Sequence, residues 1–165
     1  MRKVYFMANR KPICVGICGY KKSGKTTLIE QLLSALISEG LSVGVIKHHN
    51  EPVEADSAGT DTHRFFQAGA DVAGYDGQSL FLRRHQAEGF SLDQEMGLFG
   101  RTTDLVLVEG FKESVIPKIW LLREGETEAP AAVPNVLAAL DGSNERLPKA
   151  LQVIRGLIQN TQADR

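Results

Sequence analysis

Three observations predict an α/β fold with an open, mainly parallel sheet and helices on both faces. Short, β-branched, almost wholly apolar runs recur along the chain, such as "PICVGIC", "SVGVIK" and "DLVLVEGF", and these suit strands buried on both faces. Segments with helical spacing stand between such runs. The first apolar run, the first helical segment and the second run follow one another closely, as in a βαβ unit with a right-handed crossover.

The 165 residues predict a single domain, 1–165, that buries one core without help from disulfides or metals. Hydrophobic residues make up 42% and charged ones 24%, with a formal net charge of -1, the balance of an ordinary globular protein. No global attraction to nucleic acid or to an anionic membrane follows, so neither is expected as a partner and any anion must be gripped locally. Residues 1–11 read as a flexible leader whose apolar centre is shorter than a secretory signal, and no later run approaches membrane-spanning length. Cys14 and Cys18 share a face of one strand at about 13 Å, too far to bridge. They read as buried thiols of a reducing compartment, and the expected location is cytoplasmic.

In chain order, Pro12 to Cys18 is the first strand. Leu28, Leu32 and Leu36, with Ile29 and Leu33, mark the apolar stripe of the first helix, and Gly40 stops it. Ser42 to Lys47 is the second strand. The polar stretch from His48 to Arg64 reads as a loop entering a short helix through "HRFFQAGA". "DVAGY" and "SLFLRR" are two short strands around a "DGQ" turn, and Ser91 with Gln94 resembles a capping box ahead of the brief helix "LDQEMGLF". Asp104 to Phe111 is a buried strand, and "PKIWLLRE" and "PNVLAALD" are two more. A closing helix presents Leu147, Leu151, Ile154 and Ile158 on one stripe, and residues 161–165 are expected to fray.

"GYKKSGKTTL" contains Gly19, Gly24, Lys25 and Thr26 in the pattern G-x-x-x-x-G-K-[ST], after a strand and at a helix start. The fold is therefore read as P-loop NTPase-like. Glycines let the loop curl so that successive N–H groups point inward, and the helix start adds partial positive charge. Lys25 is expected to reach the β- and γ-phosphates, and the Thr26 hydroxyl to ligate Mg²⁺. The binding segment comprises Gly19, Lys21, Lys22, Ser23, Gly24, Lys25, Thr26 and Thr27. A plain glycine-bearing turn with solvated lysines is the alternative, which the flanking strand and helix disfavour. Lys21 and Lys22 read as solvated charge that adds to the positive field. Tyr20 occupies the place just after Gly19 where deviant, dimer-bridging phosphate loops carry a lysine.

Ligands of open parallel sheets gather at the carboxyl ends of the strands. Glu109 ends its strand and Asp104 begins it, about 16 Å away. Glu109 is thus the catalytic and metal-side candidate, holding the metal's water or polarising the attacking one, with a salt bridge to Lys112 as the alternative. Asp104 is expected to start the strand or cap something at the far edge. Lys47 and His48 leave another strand at its carboxyl end and face the same crevice. No cysteine or further histidine has ligand spacing with His48 and His49, so a zinc-type site is not expected. Asp56, Asp61, His63 and Arg64 follow in the loop, where they either approach phosphate and Mg²⁺ or form a solvated loop with a helix capped at Asp61. Asp141, at the end of a strand, reads as a capping residue more readily than as a contact to the base.

With "GYKKSGKTTL", "VIKHH", "DSAGTDTHRFFQAGAD", "DLVLVEGFK" and "PKIWLLREG" in this order, the chain resembles the MobB family, the molybdopterin-guanine dinucleotide biosynthesis accessory proteins. The likeness runs from Pro12 to the closing helix. It implies a homodimer that binds GTP, hydrolyses it weakly, and assists the guanylyltransferase that joins GMP to molybdopterin. By that resemblance Gly19, Gly24, Lys25, Thr26 and Glu109 serve the nucleotide, and Lys47, His48, Asp61 and Arg64 belong to its loops. "NEPVEA" departs from the family in being a leaner loop, and the leader lies outside the likeness. Guanine preference rests on the resemblance alone, because no N-K-x-D signature is present. The competing reading is a small-molecule kinase with Arg83, Arg84 and Arg101 as lid arginines. A metal-delivery GTPase would want a Cys- or His-rich tract.

Overall fold

The structure, a computed structural model, describes residues 11–48, 58–85, 92, 96–99 and 102–163. They fall into two compact units, one within Met1–His48 and Glu95–Arg165 and the other within His49–Gln94.

The first unit is built on a five-stranded parallel sheet of β1 (Ile13–Gly19), β2 (Val43–Lys47), β5 (Leu105–Glu109), β6 (Lys118–Leu121) and β7 (Val136–Leu140), in the order β2-β5-β1-β6-β7. β1 sits at the centre. Its register places Ile17 beside Glu109 on one flank and Gly19 beside Leu121 on the other. Because every pairing is parallel, all five carboxyl ends lie along one edge, which is where the loop after β1 emerges.

The helix α1 (Lys25–Ser38) buries Leu28, Ile29, Leu32 and Leu36, each side chain contributing roughly 1.5–3 kcal/mol. It ends in a Schellman turn: Gly40 has φ 87° and donates to Ile37 O, while Leu41 donates to Leu36 O. The last helix, α3 (Arg146–Ala163), buries Ala150 and Ile154 and touches α1. Both helices share one core with Val15, Ile17, Leu105, Leu107, Ile119, Leu121 and Leu140. Among the described residues, then, the two long helices lie on one face of the sheet. The opposite face is covered in part by Phe99 of a 3₁₀ turn (Gly97–Phe99), whose ring lies over Gly44, and in part by Ala129 and Val133, which pack with Trp120 and Cys18. That same face carries a fully buried lysine. Lys118 Nζ donates to the carbonyls of Ser114, Ile116 and Pro134, so all three of its protons are matched.

The second unit contains α2 (Asp61–Gln67) and an antiparallel hairpin of β3 (Val72–Tyr75) and β4 (Leu80–Arg83). Asp76 Oδ1 accepts from the N–H groups of Gln78 and Ser79 at the hairpin turn, which is the expected "DGQ" reversal. Arg83 lies over the Phe66 ring, 3.8 Å from its centroid, and His85 stacks on Phe66 at 3.9 Å.

Three expectations need correction. The cap of α2 is Thr60, whose Oγ1 accepts from His63 N, rather than Asp61. The closing helix runs on to Ala163 instead of fraying from Thr161, whose hydroxyl donates to Leu157 O. Most strand edges differ from their apolar runs by a residue or more, while Lys47 and Tyr75 end β2 and β3 as expected, because pairing partners rather than hydrophobicity end a strand. The leader up to Arg10, the capping box at Ser91 and Gln94, and residues 164–165 lie outside the described residues.

Candidate functional site

The loop between β1 and α1 is shaped by residues with positive φ. Gly19 has φ 149°, Lys22 φ 67° and Gly24 φ 87°. Gly19 is sterically required, since a Cβ there would lie 2.6 Å from Ser23 Oγ and 2.8 Å from Leu121 O. Gly24 stands at the N-cap of α1 without a side-chain cap, and the first turn carries no acidic residue. The positive end of the helix therefore faces the loop with no carboxylate of its own to neutralise it. Ser23 Oγ is buried without a hydrogen-bond partner, the kind of polar atom that points to a missing group.

This loop bounds a cavity of about 360 Å³ lined by Lys21, Lys22, Gly24, Lys25, Thr26, Thr27 and Glu109. Lys25 Nζ donates to Gly19 O at 3.1 Å and to Tyr20 O at 2.8 Å, so its ammonium is held against the loop and an anion would compete with those carbonyls. Thr26 and Thr27 are exposed. The donors, the uncapped helix start and the carboxylate together fit a polyphosphate with a divalent cation.

Glu109 reaches the cavity because its strand ends there. Gly110 with φ 99° and Phe111 with φ 51° then turn the chain sharply away, a strained arrangement of the sort that accumulates at functional sites. Gly110 N donates to Ile17 O, and its carbonyl accepts from Cys18 Sγ at 3.0 Å. The ion-pair partner of Glu109 is Lys47 at 3.7 Å, not Lys112. Lys47 and His48 thus do meet Glu109: His48 N donates to Glu109 O, and its ring lies 4.7 Å from Phe111. Asp61 and Arg64 belong to the second unit, where they pair with each other at 3.6 Å, both largely exposed. Asp104 is structural. Its Oδ2 accepts from Ser42 N at 2.8 Å, and its carbonyl accepts from Ile13 N, at the far edge of the sheet.

Asp141 folds back on its own turn, with Oδ1 accepting from Ser143 N at 3.1 Å. The Ser143 side chain and N–H hold its carboxyl below the usual range. Of the proposed lid arginines, Arg83 lies over Phe66 and Arg84 pairs with Asp71, while Arg101 lies outside the described residues. Asp56 and His49 do as well. Among the described residues no group of three or more His, Cys, Asp or Glu side chains is placed to hold a metal.

Sequence reasoning assigned no contact to two contributors. Arg146, the first residue of α3, donates to Ser23 O at 3.0 Å, to Leu122 O at 3.5 Å and to Asp141 O; no motif flags it. Tyr20 packs edge-on against Trp120, and the Arg123 guanidinium lies over the Tyr20 ring at 4.2 Å from its centroid. For Tyr20, an aromatic residue inside the glycine-bearing loop was the available signal.

Residues 14–141 match the family described as Molybdopterin guanine dinucleotide synthesis protein B. The molybdopterin-guanine dinucleotide biosynthesis adapter protein of Haemophilus influenzae is 43% identical over 128 residues, covering 76% of this chain and 71% of the relative. A probable adapter protein of the same description from Bacillus subtilis is 32% identical over 136 residues, covering 81% and 78%. The crystal structure of Bacillus subtilis MobB superposes with a TM-score of 0.66 at 28% identity, over 88% of this chain and 97% of that one. With the match spanning most of the chain and the fold in agreement, the chain belongs to the MobB family.

Proposed function

We propose that the protein is a GTP-binding adapter in molybdopterin guanine dinucleotide biosynthesis, a homodimer working in the cytoplasm beside the guanylyltransferase that joins GMP to molybdopterin. The observation that carries the nucleotide part is the convergence of Lys25, Thr26 and Glu109 on one cavity at an uncapped helix start. The adapter part is supported by family membership and by the names of the relatives.

In this reading the loop N–H groups and Lys25 bind the phosphates, with the ammonium leaving the carbonyls of Gly19 and Tyr20 for phosphate oxygens. The Thr26 hydroxyl and Glu109 would hold Mg²⁺, which would supply charge neutralisation for the phosphates. Glu109 also orients water for a slow hydrolysis. Lys47, already paired with Glu109, holds that carboxylate toward the cavity.

Calorimetric titration of GTP and ATP with Mg²⁺ tests the reading, repeated with the guanylyltransferase and molybdopterin present. Lys25→Ala should weaken triphosphate binding by roughly 1.5–3 kcal/mol while leaving the fold intact. Unchanged affinity in that variant would overturn the cradle.

A further inference from the structure

One residue of the loop after β1 is poorly suited to the backbone it adopts. Ser23 N donates to Tyr20 O at 3.3 Å, which closes a turn over Tyr20, Lys21, Lys22 and Ser23. The third residue of that turn, Lys22, has φ 67°, the left-handed region that favours glycine or asparagine at this turn position. Most other L side chains crowd their own backbone there. Phe111 and Asn135 are the other described non-glycine residues with positive φ. Asn135 is of the tolerant type and its Nδ2 donates to Val115 O, while the Phe111 ring packs against His48. Lys22, by contrast, is exposed.

Strain of this kind persists where a function holds it, and Lys22 stands where two cavities meet. It lines the 360 Å³ cavity with Lys21, Lys25 and Glu109, and also a neighbouring one of about 700 Å³ that Ser23 and Arg146 help to wall. Among the carboxylates of the two linings, Glu109 is engaged by Lys47, Glu126 by Arg123 and Asp141 by the Ser143 N–H. Lys21, Lys22 and Lys25 thus crowd the smaller cavity, in a chain whose net charge is only -1. Like charges so close repel one another until an anion enters between them. Ser23 Oγ, next in sequence and buried without a hydrogen-bond partner, is a further group that such an anion would satisfy.

We infer that Lys22 is a second phosphate-binding lysine beside Lys25, and that its strained backbone is retained because it sets an ammonium where the two cavities meet. The inference rests on the cradle reading proposed above. Stability and binding are therefore opposed at one residue: the turn favours asparagine or glycine there, and the anion favours lysine.

The test uses Lys22→Asn, which suits the left-handed backbone and lacks the charge, Lys22→Gly as a second neutral variant, and Lys22→Arg, which keeps both charge and strain. Calorimetry reads the affinity for the Mg²⁺ complexes of GTP and of inorganic tripolyphosphate, and melts without ligand read stability. Lys22→Asn should raise the thermal midpoint by about 2–4 °C. Both neutral variants should bind GTP and tripolyphosphate about tenfold more weakly, and added salt should shrink that difference. Lys22→Arg should stay within about twofold of the unsubstituted protein. Affinities unchanged in the neutral variants, a loss for GTP alone, or an equal loss in Lys22→Arg overturns the phosphate contact. A lower midpoint for Lys22→Asn overturns the opposition of stability and binding. Binding of neither ligand to the unsubstituted protein overturns the cradle, and this inference with it.

Discussion

A carboxylate stands at each end of β5, and the two do different work. Glu109 lines the cavity at the loop after β1 with a side chain only 15% exposed. Asp104 ties Ser42 to the opposite edge. Glu109→Gln should still bind nucleotide but lose most Mg²⁺-dependent hydrolysis, because the missing charge counts most in the transition state. Asp104→Asn should leave hydrolysis intact and cost about 1 kcal/mol of stability through a weaker bond to Ser42 N. The reverse pattern in a single-turnover assay and a denaturant melt would place the site at the wrong edge. Burial acts on a third residue nearby. Desolvation pushes the Cys18 thiol from its ordinary 9.0 up to about 11, so between those two values the folded chain retains a proton that the unfolded chain has lost. Stability should therefore fall as pH rises through that window, by roughly 2–3 kcal/mol relative to Cys18→Ala. Parallel urea melts of the two proteins at pH 8 and pH 11 would read the difference.

Elements hold one another through close approaches that a single atom can spoil. Gly44 in β2 is such a point. A Cβ added there would lie 2.4 and 2.5 Å from ring carbons of Phe99, so Gly44→Ala must displace the 3₁₀ turn from the sheet. The expected cost is about 1–3 kcal/mol. Much of it should disappear when Gly44→Ala is made together with Phe99→Ala, since only the clash couples the two sites. Equal costs of Gly44→Ala in both backgrounds, measured by denaturant melts, would mean that the ring does not pack over the strand. The same element scale explains α1. Its apolar stripe and Gly40 were readable because a helix's period and its stop are written locally. The cap of α2 was not, because Thr60 and Asp61 are adjacent capping residues, Asp ranks as the better cap by propensity, and only the backbone geometry gives the position to Thr60.

For the whole molecule, the parallel sheet, the glycine-bearing turn between β1 and α1 and the polarity of β5 were legible, since each depends on the order of local patterns. Both long helices sharing one sheet face was not, because strand order decides it and β6 and β7 reveal their places only by pairing. Arg146 escaped notice for a similar reason: its three carbonyl partners come from segments between 5 and 123 residues away. Glu109 pairs with Lys47 rather than with Lys112, the partner named in the alternative reading, because neighbouring strands, not neighbouring residues, meet at the sheet edge. Lys118 shows what such long-range enclosure means for reagents arriving from solvent. Its ammonium has no exposed surface, and burial lowers its pKa from the ordinary lysine value. An amine-selective acylating label should mark the exposed Lys21 and Lys22 within the native state, while Lys118 reacts only when β6 separates from its neighbours. Peptide mass spectrometry after a short labelling pulse should then find Lys118 modified in step with global unfolding across a urea series, so that one core lysine serves as the chain's own gauge of intactness.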